Sequence, residues 1–102
     1  MANPQYQNYS FSAILYAVST ATEIPAPVIL SKSRNAEVVD ARHILIAILS
    51  ECGWHQARIS RQLGTSEASV SITLDRFANR LKFGGFFINS TLRKARTLLG
   101  LK

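Results

Sequence analysis

The sequence predicts an all-α domain with five or six helices, on the basis of three observations. Apolar residues recur every three or four positions along most of the 102 residues, which is the spacing of one helix face. Proline and glycine fall between these apolar stripes, where helices end. No segment shows a convincing strand pattern. With 47% hydrophobic residues the chain can build one core, so we predict a flexible leader over residues 1–5 and a single domain over residues 6–102.

The first half of the chain predicts two helices separated by a basic loop. The first helix spans residues 6–22 and ends before Pro25 and Pro27, because proline interrupts helices. A short turn or helix over residues 28–30 leads into a polar, basic loop at residues 31–35. Asp40 is a suitable N-cap for a second helix that runs through Cys52 and ends at Gly53. The buried positions predicted from helical spacing are Phe11, Ile14, Leu15, Val18, Ile44, Leu45, Ile48, Leu49 and Cys52.

Residues 56–74 predict two helices joined by a tight turn. Ile59 and Leu63 share one face of the first helix, and Gly64 permits the sharp exit that follows. Ser66 is a suitable N-cap for the second helix, which continues to about Lys82. Its inward positions are Val70, Thr73, Leu74 and Phe77, and the exposed positions at its start are Glu67, Ala68, Ser69, Ser71 and Ile72. Small polar side chains there can approach base edges, so the pattern predicts a DNA-binding helix-turn-helix; the alternative is an ordinary αα-hairpin in a helical core.

A last helix is predicted over about residues 86–99, between the Gly84-Gly85 break and Gly100. Its inward stripe consists of Ile88, Leu92, Ala95 and Leu99. We expect three nearby aromatic residues, Phe83, Phe86 and Phe87, to fold this helix down onto the core; the alternative is an interaction surface. Trp54 is expected to plug the core over the hairpin, and a base-stacking role is its alternative.

Positive charge is concentrated after residue 31, in the last two thirds of the chain. The net charge is +6, residues 1–31 contain no lysine or arginine, and no acid follows Asp75. Such a surface attracts polyanions, of which nucleic acid is the commonest, although an anionic membrane or an acidic protein would also satisfy it. No apolar run approaches the length of a membrane span, and no basic residue precedes Lys32 as a secretory signal would require. Together with the single Cys52, these features predict a cytoplasmic protein in a reducing environment, with no membrane partner.

Catalytic and metal chemistry find little support in the sequence. The chain has two histidines, one cysteine and six acids, and they are scattered. His43 and His55 lie twelve positions apart with no cysteine or carboxylate at ligand spacing. We therefore expect no catalytic residue, no metal site and no cofactor, and a function other than an enzyme's.

Three segments resemble the C-terminal DNA-binding domain of the bacterial replication initiator DnaA, which has a tryptophan-repressor-like fold. Residues 29–34 (ILSKSR) resemble the family's basic loop, and residues 38–44 (VVDARHI) resemble the start of its long helix. Ile59, Arg61, Gln62 and Gly64 match the family's pattern in the first hairpin helix. Residues 64–70 read GTSEASV where the family has GRDHTTV, so the DnaA box is not the expected target. The chain also lacks a phosphate-binding loop of the ATPase type, which excludes a complete initiator.

The resemblance implies a set of DNA contacts. Arg34 would enter a minor groove, Arg42 and His43 would meet phosphates, and the start of the second hairpin helix would read bases. The alternatives are that Arg34 is a solvated loop charge and that Arg42 pairs with Glu37 or Asp40. The predicted DNA-binding residues are Lys32, Arg34, Arg42, His43, Arg61, Thr65, Ser66, Glu67, Ser69 and Ser71.

The predicted function is therefore double-stranded DNA binding by a stand-alone relative of this domain, in replication or transcription regulation. Replication or transcription proteins are further candidate partners. The first alternative is a protein-interaction domain that has kept the fold and lost DNA reading, which predicts an exposed apolar patch around residues 83–87. The second alternative is an RNA-binding module. The positive charge of the chain fits this alternative, but the sequence lacks the aromatic stacking motifs that such modules use.

Overall fold

The computed structural model describes residues 9–83 and 85–101, and this part of the chain forms six α-helices without a strand. The helices are α1 (Phe11–Thr22), α2 (Ala26–Ile29), α3 (Ala36–Glu51), α4 (Gln56–Leu63), α5 (Glu67–Lys82) and α6 (Phe86–Leu98). The all-α prediction is confirmed. The predicted leader over residues 1–5 and the first residues of the predicted first helix, 6–8, lie outside the described residues. No helix in the described ranges is long and apolar enough to cross a membrane.

Helix α3 lies at the centre of the fold and contacts each of the other five helices. It is buried along most of its length because it is apolar on nearly every face after its first turn. Ile44, Leu45, Ile48 and Leu49 on α3 are almost completely inaccessible to solvent. Helix α1 also packs against α6, and α4 packs against α5, so the hairpin α4–α5 is attached to the core through α3.

Three helices begin at other residues than the sequence analysis predicts. Helix α2 begins at Ala26 and not at residue 28, because Pro27 falls in its first turn, where a missing backbone N–H costs no helical hydrogen bond. Helix α1 starts at Phe11, because the Ser10 hydroxyl accepts a hydrogen bond from the Ala13 amide at 3.1 Å. Helix α3 starts at Ala36 and not after Asp40, because the Asn35 side chain accepts from the Glu37 amide at 2.9 Å. Asn35 satisfies one of the orphan amides at a position five residues before Asp40, and nothing between them interrupts the helix.

The turn between α4 and α5 has the predicted geometry. Gly64 has φ 69° and ψ 36°, a left-handed conformation that strains residues with a Cβ, and its amide donates to the Ser60 carbonyl. The Ser66 hydroxyl accepts from the Ser69 amide at 3.1 Å and so caps α5. Ile59 of α4 and Val70 of α5 are completely buried in the hydrophobic core, as predicted. Leu63 packs against this core but is only half-buried.

Helix α6 begins at Phe86 as predicted, but the aromatic residues around its start are placed differently from the prediction. Ile88, Thr91 and Ala95 hold α6 against the core, and they lie on one face at helical spacing. Phe86 and Phe87 precede Ile88 by two and one positions, which turns them away from this face by about 200° and 100°. Together with Phe83 they are exposed, so the expectation that these aromatic residues fold the helix onto the core is wrong.

Candidate nucleic-acid interface

The basic loop and the α4–α5 turn, far apart in sequence, form the two walls of one cleft. One wall consists of residues 30–34 with Val39 and Arg42, and the other of Leu63, Gly64 and Thr65. The cleft has a volume of about 370 Å³, and no acidic residue lines it. Four residues that the sequence analysis assigns to DNA binding, Lys32, Arg34, Arg42 and Thr65, therefore lie on one surface.

Arg42 holds the basic loop in place. Its Nε atom donates to the Ile29 carbonyl at 3.1 Å, and its Nη2 atom donates to the carbonyls of Ser31 and Ser33, the latter at 3.3 Å. The predicted alternative, a pair with Glu37 or Asp40, is not formed. The guanidinium group of arginine has five donors in a rigid plane, so one side chain can hold several carbonyls of a bent segment. No sequence signal indicated this role, since it depends on where the loop carbonyls point.

Serine side chains add order within the same loop. The Ser31 hydroxyl donates to the Val28 carbonyl at 2.6 Å and accepts from the Ser33 amide at 3.3 Å. The Ser33 hydroxyl in turn accepts from the Asn35 amide at 3.2 Å. These local bonds satisfy polar backbone groups within the loop and keep it ordered. The ordered loop exposes the side chains of Lys32 and Arg34.

The beginning of α5 presents small polar side chains beside this cleft. Val70 is buried, and the residues around it are exposed: Thr65, Ser66, Glu67, Ala68, Ser69, Ser71 and Ile72. The hydroxyl of Ser66 is committed to the cap, while Glu67 and Ser69 are exposed in the first turn. Arg61 is exposed in the last turn of α4. The outward positions predicted for this helix are confirmed.

His43 is placed differently from the other residues in the predicted set. It is half-buried on α3, and its Nδ1 atom is buried with no hydrogen-bond partner among the described residues. Burial, and then the positive charge of Arg80, lower the pKa of His43 below its ordinary value. The imidazole is therefore neutral at neutral pH, which weakens the expectation that it meets a phosphate as a cation.

Several basic side chains outside the cleft have partners within the protein. Arg80 on α5 pairs with Asp40 on α3 at 2.7 Å, and Arg96 pairs with Glu51. The Arg58 guanidinium lies 3.7 Å from the centre of the Trp54 ring, which is buried as predicted. No ion pair within the described ranges joins Lys32 or Arg34 to an acid. The cleft therefore retains positive charge that is free for a partner.

The remaining candidate for chemistry, Cys52, is a core residue. It is buried at the end of α3, and burial, followed by the charge of Glu51, raises the pKa of its thiol to about 11. A thiol that stays protonated is a poor nucleophile and a poor metal ligand. The residues that the structure describes contain no group of three or more histidine, cysteine or acidic side chains that could hold a metal ion.

Comparisons of the chain with protein-family models, with curated proteins and with solved structures found no match.

Proposed function

We propose that this protein binds double-stranded DNA as a helix-turn-helix domain of the kind found at the C-terminus of DnaA. Helix α5 would be its recognition helix. The observation that supports this most is the acid-free cleft in which the basic loop at residues 31–34 meets the turn between α4 and α5. A helix that starts beside such a cleft can enter a major groove while the loop reaches the adjacent backbone or minor groove.

Base reading is assigned to the exposed start of α5. Glu67 can accept a hydrogen bond from a cytosine amino group, and Ser69 and Ser71 can bond to donors or acceptors on base edges. Thr65 and Ser66 lie at the turn, where their backbone amides and the Thr65 hydroxyl can meet phosphate oxygens. Because the arginine, aspartate and histidine of the DnaA motif are absent, the site read differs from the DnaA box.

Backbone and minor-groove contacts are assigned to the loop. Lys32 and Arg34 are exposed on a segment that Arg42 and two serines keep ordered. An arginine side chain gains affinity in a narrow, A·T-rich minor groove, whereas lysine contacts phosphate as a point charge. Duplex DNA is favoured over duplex RNA, because the deep and narrow major groove of A-form RNA does not admit a recognition helix.

The test is selection of binding sites from a random pool of duplex DNA, followed by a salt series on the selected site. We expect a consensus sequence, and log K should fall by about 0.9 against log salt for each phosphate contacted. Lys32→Ala should reduce the magnitude of this slope by about 0.9, which corresponds to the loss of one phosphate contact. The control is Lys94→Ala, at an exposed lysine on α6, which should leave the slope unchanged. An affinity that does not change between low and physiological salt contradicts the proposal.

A further inference from the structure

A second surface lies where α5 ends and α6 begins. The proposed DNA binding does not depend on it. Phe83, Phe86 and Phe87 are 79%, 86% and 66% exposed, and we call these three residues the aromatic patch. Single exposed apolar residues are common on proteins, but neighbouring large aromatic side chains indicate an interaction site.

The aromatic patch continues into an apolar pocket. Phe87 forms part of the wall of a cavity of about 190 Å³, which Thr22, Ile24, Glu37, Asp40, Ala41 and Ile44 complete. A dry cavity of ~150 Å³ holds a benzene molecule, so this pocket can hold one aliphatic or aromatic side chain. A protruding aromatic surface beside a pocket of this size is the arrangement that an anchor residue of a protein partner requires.

The charges around the patch favour an acidic partner. The Lys82 ammonium group lies 5.6 Å from the centre of the Phe83 ring. Helix α6 has no acidic residue in its first turn, and its N-cap is Gly85, which has no side chain to bond the first amides. The positive end of α6 therefore points at the patch. At the pocket, Arg80 balances the charge of Asp40, whereas Glu37 remains as an acidic wall residue, so the carboxylates of a partner would lie at Lys82 and the start of α6 and not beside Glu37.

We propose that the aromatic patch and its pocket bind an acidic, amphipathic segment of another protein. An apolar side chain of that segment would occupy the pocket, its neighbours would pack on Phe83 and Phe86, and its carboxylates would face Lys82 and the start of α6. A second copy of this chain is disfavoured, because each copy carries a net charge of +6. Nucleic acid is disfavoured at the pocket, because its wall is mainly apolar and includes no lysine or arginine that could meet a phosphate.

This surface and the proposed DNA interface use different faces of α3. Glu37, Ala41 and Ile44 face the pocket, whereas Val39 and Arg42 face the cleft. The two partners can therefore bind at the same time. The aromatic patch is the feature that the protein-interaction alternative required, but here it accompanies the acid-free cleft and does not replace it.

The experiment is selection of a displayed library of random peptides on the full chain, with affinities measured by fluorescence anisotropy. We expect enriched peptides to combine acidic residues with an apolar anchor. Phe86→Ser should weaken their binding about tenfold or more, which is the effect of truncating an aromatic anchor. Tyr16→Ser, at an aromatic residue that is 74% exposed on α1, should leave it unchanged. Lys82→Glu should weaken binding more than Lys94→Glu does, and melting curves should show that all four variants fold.

Other results overturn the proposal. These are a failure to enrich acidic, apolar peptides, or an affinity that is unchanged in Phe86→Ser. A sedimentation mass that rises with concentration and returns to the monomer in Phe86→Ser would assign the patch to a second copy of the chain. Binding to phosphatidylglycerol vesicles that Phe86→Ser abolishes would assign it to a lipid surface. The peptides are selected without DNA, so the outcome of this selection can be interpreted even if the DNA-binding proposal fails. If both proposals hold, duplex DNA added afterwards should not displace the bound peptides.

Discussion

The two ends of α5 differ in chemistry although they belong to one helix. Its first turns expose Glu67, Ser69 and Ser71, which are small or polar, beside a cleft without acids. Its last turn leads into Phe83, a large apolar residue that is exposed beside Lys82. Between these ends, Val70 and Phe77 are buried and attach the helix to the core.

The buried residues of α5 meet the requirements of folding, whereas the exposed residues at its two ends meet those of binding partners. The buried residues of α5 are apolar because burial stabilises the fold. The exposed residues at either end contribute little to the core, so their chemistry is informative about binding. Small hydrogen-bonding groups fit a groove lined with base edges, and aromatic side chains fit a protein surface. Substitutions in the middle of α5 should therefore change stability, and substitutions at its ends should change binding.

The largest effect is expected in the buried middle of the helix. Val70→Ala should lower the free energy of unfolding by about 2–3 kcal/mol, because it removes two methyl groups and leaves a cavity. For a domain of this size the melting temperature should fall by about 4–8 °C for each kcal/mol. The matched control is Ser71→Ala, an exposed neighbour that should melt as the wild type does. Equal melting of the two variants would show that α5 is not attached to the core through Val70.

Arg42→Lys should produce the next largest effect. Lysine keeps the charge but cannot hold the carbonyls of Ile29, Ser31 and Ser33 with a planar group, and hydrogen bonds from a charged donor are worth about 1.5–3 kcal/mol. We expect amides in residues 31–35 to exchange faster with solvent and DNA affinity to fall about tenfold. Arg61→Lys, in the exposed last turn of α4, is the control. If Arg42 acts only as a charge on phosphate, the lysine variant will bind DNA like the wild type and its loop will exchange at the normal rate.

The sequence could predict what local rules determine. Helical spacing identified the all-α class and the buried stripes, and the residue types at the turn identified Gly64 as the left-handed residue and Ser66 as the cap. Helix starts were less predictable where two capping residues compete. Asn35 and Asp40 are both suitable caps, and only Asn35 caps α3 in the structure.

Contacts between distant residues could not be predicted in this way. The pair between Arg80 and Asp40 joins positions forty apart, and the bonds from Arg42 depend on the course of the loop. The exposure of Phe86 and Phe87, by contrast, follows from the inward stripe that begins at Ile88, so helical spacing alone could have predicted it. An apolar residue near a helix start therefore identifies neither burial nor a binding surface by itself. The cleft itself also depends on the tertiary approach of loop and turn.

A smaller effect, on specificity alone, is expected at the start of α5. Ser69→Ala and Glu67→Ala should each melt normally and lose about 1 kcal/mol of discrimination between the selected site and its single-base variants. The reason is that a base-edge hydrogen bond is lost while the buried face of α5 is unchanged. Competition binding with the variant sites measures the effect, and Phe83→Ser at the other end of the helix should leave discrimination intact. If both alanine variants keep full discrimination, α5 does not read bases.

The smallest effect concerns His43 on α3, whose ring is close enough to Arg76 and Arg80 of α5 to be influenced by their charges. Burial, followed by the positive charges of Arg80, Arg42 and Arg76, lowers the pKa of His43, and the negative charge of Asp40 opposes them. In the folded protein the imidazole thus takes up a proton at a lower pH than in the unfolded chain, whose histidine titrates at about 6.5. Stability is unaffected well above this pH and falls as the pH drops below it, because the unfolded chain then binds more protons. Melting temperatures between about pH 7.5 and about pH 5 should therefore decline less in His43→Gln than in the wild type. An identical decline in His43→Gln would show that acid acts on α5 through other groups.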